Sequence, residues 1–159
     1  MNISAADVAK LRKATGAGMM DCKNALTDAE GNFDRAIEII REKGKLVASK
    51  RADRESSEGV VLSKVSEDKS FGAVISLNSE TDFVAINEDF KNTADAFAKI
   101  ALDKAPADQA ALLALPYESM TIGEKVIEMV GRIGEKIELA KYEQISAASV
   151  IAYNHPGNK

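Results

Sequence analysis

The chain has no tryptophan, one cysteine and one histidine, and aromatic residues make up 5% of it. A single cysteine, Cys22, cannot close an internal disulfide, and with His155 it cannot complete a zinc cluster of cysteines and histidines. A histidine-dependent triad would have to use His155, beside Pro156-Gly157 at the chain end. An ordinary hydrolase or metalloenzyme is therefore disfavoured, and no cofactor or metal is expected. No apolar run approaches membrane-spanning length, and the first residues lack the basic and apolar segments of a signal peptide. A net charge of -4 argues against a protein that mainly coats nucleic acid, because phosphate binding rests on lysine and arginine. These absences lead us to expect a cytoplasmic location, no membrane and no direct nucleic-acid contact.

What is present is the balance of a globular protein, with 45% hydrophobic and 29% charged residues in 159. Residues 1–45 read as three short helices. Ser4 with Asp7 predicts a capped start, Val8, Leu11 and Ala14 or Thr15 form a stripe, and Gly16 ends the first helix. The second runs from about Met19 to Ala29, with Cys22, Ala25, Leu26 and Ala29 inward, so Cys22 reads as a small core hydrophobe. The third carries Phe33, Ala36, Ile37 and Ile40 and is expected to stop at Gly44. Residues 46–58 read as a basic linker, part of a run from Arg41 to Arg54 with six bases and two acids.

Past Gly59 the period changes from 3.6 to 2. Val60–Val65 and Phe71–Leu77 predict an antiparallel hairpin, with Phe71, Ala73, Ile75 and Leu77 on one face. Helices are expected from Asn87 to about Lys104, from Asp108 to Leu115, and after a Thr121/Glu124 capping box, where Ile122, Val126, Met129 or Val130, and Ile133 face inward. Ile137–Tyr142 and Ala147–Tyr153 read as two further strands, the second entering a Pro-Gly turn whose other half is missing. The fold class is α+β: a three-helix bundle (1–45), a linker (46–58), and an antiparallel sheet packed with helices (59–159). Either the last strand pairs elsewhere, or the last part is a piece of a longer protein.

Two stretches stand out. The corner Asn78-Ser-Glu-Thr-Asp-Phe-Val84 joins a strand to a helix and carries Phe83 beside Glu80 and Asp82. The ring could fold into the core while the acids cap the coming helix, or it could be a rigid wedge aimed at a partner protein. An acid–base pair of Glu80 and Asp82 is geometrically allowed on an extended segment but weakly supported. The other stretch is the loop Thr15-Gly-Ala-Gly-Met-Met20. It lacks the Gly-Lys-Ser/Thr of a phosphate loop. Adjacent methionines cannot both face the core of so small a bundle, so at least one should be partly exposed, as a partner anchor or as cover for a helix end.

Thr15-Gly-Ala-Gly-Met-Met-Asp-Cys-Lys-Asn-Ala-Leu26 together with Asn78-Ser-Glu-Thr-Asp-Phe-Val-Ala85, in this order and after three helices, resembles the bacterial translation elongation factor Ts family. The resemblance covers the whole chain but only the N-terminal part of a typical member. It implies a ubiquitin-associated-like (UBA-like) bundle that docks on the G domain of elongation factor Tu through Arg12, Met19 and Met20. It implies that Thr81, Asp82, Phe83 and Val84 enter beside the nucleotide site and dislodge Mg²⁺, releasing GDP. That is guanine nucleotide exchange, without bond-making catalysis. The alternative is a module that binds factor Tu with little exchange activity, because the rest of the core, a helical hairpin and a C-terminal module are lacking. The resemblance also allows a homodimer in the full-length protein.

Overall fold

Ser4 opens the first helix by taking both halves of a capping box: its hydroxyl accepts the Asp7 N–H, and the Asp7 carboxylate accepts the Ser4 N–H. Helix α1 (Ala5–Thr15) ends on Gly16, whose φ of 68° is the left-handed cap that glycine supplies without strain. The computed structural model describes residues 3–156, so the glycine of the expected Pro156-Gly157 turn lies outside the described residues. Helix α2 (Met19–Asp28) and helix α3 (Phe33–Lys50), the latter capped by Asn32, complete three helices. Their core is Val8, Leu11, Ala17, Cys22, Ala25, Leu26, Ala29 and Ala36, with Phe33, Ile37 and Ile40 packed against it. Cys22 is buried, as its position on the inward stripe predicts.

Helix α3 does not stop at Gly44; it runs through it to Lys50. Gly44 is buried, and its neighbour is Gly131 of a later helix, whose added Cβ would lie 2.7 Å from the Gly44 Cα. The glycine serves close backbone approach rather than a left-handed cap, so the helical ladder has no reason to end there. The chain divides into two compact units: residues 1–53 with 127–134, and residues 54–126 with 135–159.

The second unit is built on a three-stranded antiparallel sheet, in the order β1 (Glu58–Val65), β2 (Phe71–Ser79), β5 (Ile137–Ser146). The expected face of β2 is the buried one: Ala73, Ile75, Leu77 and Ser79 are inside, with Phe71 half-buried. Helix α5 (Glu88–Lys104) packs on β1 and β2 through Phe90, Thr93, Ala94, Phe97, Ala98 and Ala101. Along β5 the pairing skips Ala140: Ser76 faces Lys141 but Leu77 faces Leu139. This bulge resets the alternation, so that Ile137, Leu139 and then Tyr142 all point inward. The buried Tyr142 hydroxyl donates to the Pro106 carbonyl at 2.9 Å.

Three smaller elements follow α5: α6 (Gln109–Leu113), capped by Asp108, and a short hairpin of β3 (Pro116–Tyr117) and β4 (Met120–Thr121) that local pattern did not reveal. Thr121 and Glu124 form the expected capping box of helix α7 (Ile122–Ile133), in which Ile122, Val126, Met129 and Val130 are buried. The second expected late strand does not form. Residues 147–153 are irregular, and their polar groups bond back to the β1–β2 hairpin: Ala147 N–H to Ser70 and Val150 N–H to Lys69. Among the described residues no helix is long and apolar enough to cross a membrane.

Candidate functional site

Strand β2 ends on the buried Ser79, whose hydroxyl donates to the Thr81 carbonyl at 2.9 Å. Residues Asp82–Ala85 then form a single helical turn, α4, and Asn87 caps α5 by accepting the Asp89 and Phe90 N–H groups. The inward position of the turn goes to the small Ala85, which is buried. A turn this short can direct only part of its surface inward, so Phe83 is left 79% exposed and Ile86 61% exposed. Asp82 is exposed, and Thr81 and Val84 are half-buried. The reading in which Phe83 folds into the core is thus replaced by an outward ring at a corner anchored on both sides.

Thr81, at the N-cap position of this turn, makes no side-chain cap bond. Its N–H and hydroxyl instead both donate to the Glu135 carboxylate, at 3.1 and 2.7 Å. In return the Glu80 carboxylate accepts the Lys136 N–H at 2.6 Å. Residues 80–81 and 135–136 thus form a reciprocal pair of ties between the β2–α4 corner and the segment leading into β5. Lys136 is held in turn, donating from Nζ to the Arg54 carbonyl at 3.0 Å. Glu135 and Lys136 carry no local signal: an acid and a base after Gly134 look like any helix exit.

In the first unit, Met19 and Met20 open α2 and are both exposed, by 59% and 66%. Arg12 is exposed in the last turn of α1, whose carbonyl accepts the Gly16 N–H that begins the loop to Met19. The loop between them is pinned from beneath: the Cys22 thiol lies 3.7 Å from the Ala17 carbonyl, and Ala17 is buried. Among the described residues, no group of three or more His, Cys, Asp and Glu is placed to hold a metal ion. The two candidate surfaces each expose large apolar side chains, Phe83 and Ile86 on one and Met19 and Met20 on the other, the latter near the exposed Arg12.

The family described as Elongation factor TS matches residues 80–159. An elongation factor Ts of Christiangramia forsetii is 52% identical over 157 residues, covering 99% of this chain and 57% of that protein. One from Porphyromonas gingivalis is 50% identical over 160 residues, covering 100% and 58%. One from Bacteroides fragilis is 54% identical over 156 residues, covering 98% and 46%. The chain thus spans about half the length of the curated relatives it matches. The family match over residues 80–159, with relatives about half identical along nearly the whole chain, places the chain in the elongation factor Ts family.

Proposed function

We propose that the chain is a guanine nucleotide exchange factor of translation elongation, binding elongation factor Tu in its GDP-bound form and promoting GDP release. In this reading the three helices form a UBA-like docking module, and Arg12, Met19 and Met20 contact the G domain. Thr81, Asp82, Phe83 and Val84 enter beside the nucleotide site. Phe83 wedges between the elements that support Mg²⁺, and Asp82 helps to reposition them. The setting is the cytoplasm, and no covalent step is involved.

The observation that carries this reading is the outward Phe83 ring on a doubly tied corner. A partner accelerates release only if it binds the nucleotide-free state more tightly than the GDP-bound state, and the effect is reciprocal. An exposed ring gains burial only when a pocket opens to take it, worth roughly 1.5–3 kcal/mol. That corresponds to roughly ten- to a hundredfold in relative affinity. An acid–base role for Glu80 fits less well, because its carboxylate is occupied by the Lys136 N–H.

The test is stopped-flow release of a fluorescent GDP from factor Tu, with the chain and with Phe83→Ala. Faster release by the parent chain, lost in Phe83→Ala, supports the wedge; equal rates for the two reject it. A second reading, docking without exchange, rests on Met19 and Met20, which are exposed whatever the corner does. Stable binding of factor Tu with an unchanged GDP off-rate would select it.

A further inference from the structure

We infer that Glu135 is a positioning residue for the Phe83 corner, acting through Thr81, with Glu80 and the Lys136 N–H as the reciprocal tie. The functional half of this inference rests on the wedge reading above; the structural half does not.

Helix α4 is weak by itself. Four residues make one turn, and a turn of that length has too few internal bonds to persist alone. Threonine at an N-cap position ordinarily accepts an N–H from the turn that follows. Thr81 has the extended backbone of an N-cap, with φ -122° and ψ 154°, yet it makes no such bond. Its hydroxyl is instead donated to Glu135 Oε1, and its N–H to Glu135 Oε2. The residue that should stabilise the turn locally is committed to a carboxylate 54 positions away. What holds the turn is therefore the attachment of its N-cap residue to the segment leading into β5, together with the buried Ala85.

Both bonds to Glu135 are charge-assisted, as is the Lys136 N–H bond to Glu80. The two ties run in opposite directions between adjacent residues: 81 to 135 and 136 to 80. A pair of that kind fixes rotation as well as distance, which one bond would not. Strand β5 pairs with β2 up to Ser79–Ile137, so the ties extend the sheet's rigidity two residues past its last bridge. Phe83 follows two residues later. The conformational cost of orienting its ring is then met when the chain folds rather than when it meets a partner.

Glutamine separates this role from simple charge. Glu135→Gln can accept the Thr81 N–H through its carbonyl and donate to the Thr81 hydroxyl oxygen, so both contacts survive. Glu135→Ala keeps neither. Hydrogen exchange of the whole chain reads the structural half. The amides of Ala85 and Ile86, which donate to the Thr81 and Asp82 carbonyls, should exchange faster in Glu135→Ala and return to the parent rate in Glu135→Gln, while those of Ile75 and Leu77 stay unchanged. Unaltered exchange at Ala85 and Ile86 in Glu135→Ala overturns the inference.

The functional half is read by GDP release from factor Tu at saturating chain. Glu135→Ala should lower the saturating rate roughly tenfold, the scale on which misplacing a working group is felt, with little change in half-saturation. On a Phe83→Ala background it should have no further effect, because its influence passes through the ring. Independent, multiplicative losses would show that Glu135 acts elsewhere. If Phe83→Ala alone leaves release unchanged, the wedge reading fails while the exchange measurement still decides the positioning role. Should Glu135→Ala not fold, Thr81→Val removes the hydroxyl and keeps the N–H; faster exchange at Ala85 and Ile86 supports the tie and unchanged exchange rejects it.

Discussion

Gly44 and Gly131 meet backbone to backbone, but not symmetrically. A Cβ on Gly131 would sit 2.7 Å from the Gly44 Cα, whereas a Cβ on Gly44 would find the Ile127 carbonyl at 3.5 Å and the Gly131 Cα at 3.8 Å. The first distance is a clash with rigid backbone; the second set is ordinary contact.

Gly131→Ala should therefore destabilise the first unit and Gly44→Ala should not. Overpacking costs typically about 1–3 kcal/mol, and replacing a helical glycine by alanine returns up to about 1 kcal/mol. The net expectation is a loss of about 1–2 kcal/mol for Gly131→Ala and a neutral or small gain for Gly44→Ala. Denaturant midpoints of the two variants check this, and equal midpoints would contradict it.

Phe83→Ala should change function without changing stability, since the ring is 79% exposed and contributes little buried area. The saturating rate of GDP release should fall while the thermal midpoint stays in place. Met19→Ala combined with Met20→Ala should instead raise the concentration needed for half-saturation, as expected of docking residues rather than a wedge. A fall in the thermal midpoint of Phe83→Ala would mean that the ring packs in solution.

The β1–β2 turn carries its own pH signature. Asp68 accepts the Ser66 hydroxyl at 2.7 Å, the Ser70 N–H at 3.0 Å and the Ser70 hydroxyl at 2.8 Å. Led by the Ser66 hydroxyl, these bonds hold its carboxyl down at about 2, against an ordinary value of 3.8. The folded-state value is the lower one, so folding favours the carboxylate. The resulting stabilisation is present above pH 3.8 and is lost as the pH falls through about 2. An NMR titration of the Asp68 side chain should show a midpoint near 2, and Ser66→Ala should move it upward. A parent midpoint at the ordinary value would refute the turn geometry.

Asn154 pins the segment after β5 to the outer edge of β1. Its Oδ1 accepts the Ser63 N–H at 2.7 Å and its Nδ2 donates to the Ser63 carbonyl at 3.1 Å. The side-chain amide thus occupies the place a neighbouring strand would take. Asn154→Ala should speed exchange of the Ser63 amide roughly two- to tenfold, the equivalent of one net hydrogen bond. No change there would mean that the segment is not docked in solution.

Local signals carried much of this fold because they act over three or four residues. The Ser4 and Thr121 capping boxes, the start of a helix near Asn87 and the alternation of β2 were all legible as sequence, and each appears where its pattern predicts. The corner holding Phe83 and the methionine loop could likewise be singled out, because large apolar side chains stood where small polar ones are usual. For the methionines at least partial exposure could be read locally; whether Phe83 pointed inward or outward could not, since a phenylalanine serves a core and a partner surface equally well. That was decided by Ala85 taking the inward place on α4.

The remaining features depend on partners far along the chain. Gly44 reads as a helix stop until Gly131 lies against it; residues 147–153 read as a strand until their N–H groups find Ser70 and Lys69. Ala140 resets the phase of β5 only because β2 is already beside it. Glu135 holds Thr81 across 54 positions, and nothing within a helical turn of either residue announces the pair. The sequence by itself determined the capped helix starts at Ser4 and Thr121 and the buried face of β2, because those signals are local. Tertiary structure alone decided which glycine faces backbone, which carboxylate anchors the corner, and that Phe83 faces outward, because those outcomes depend on which distant groups packing brings within reach.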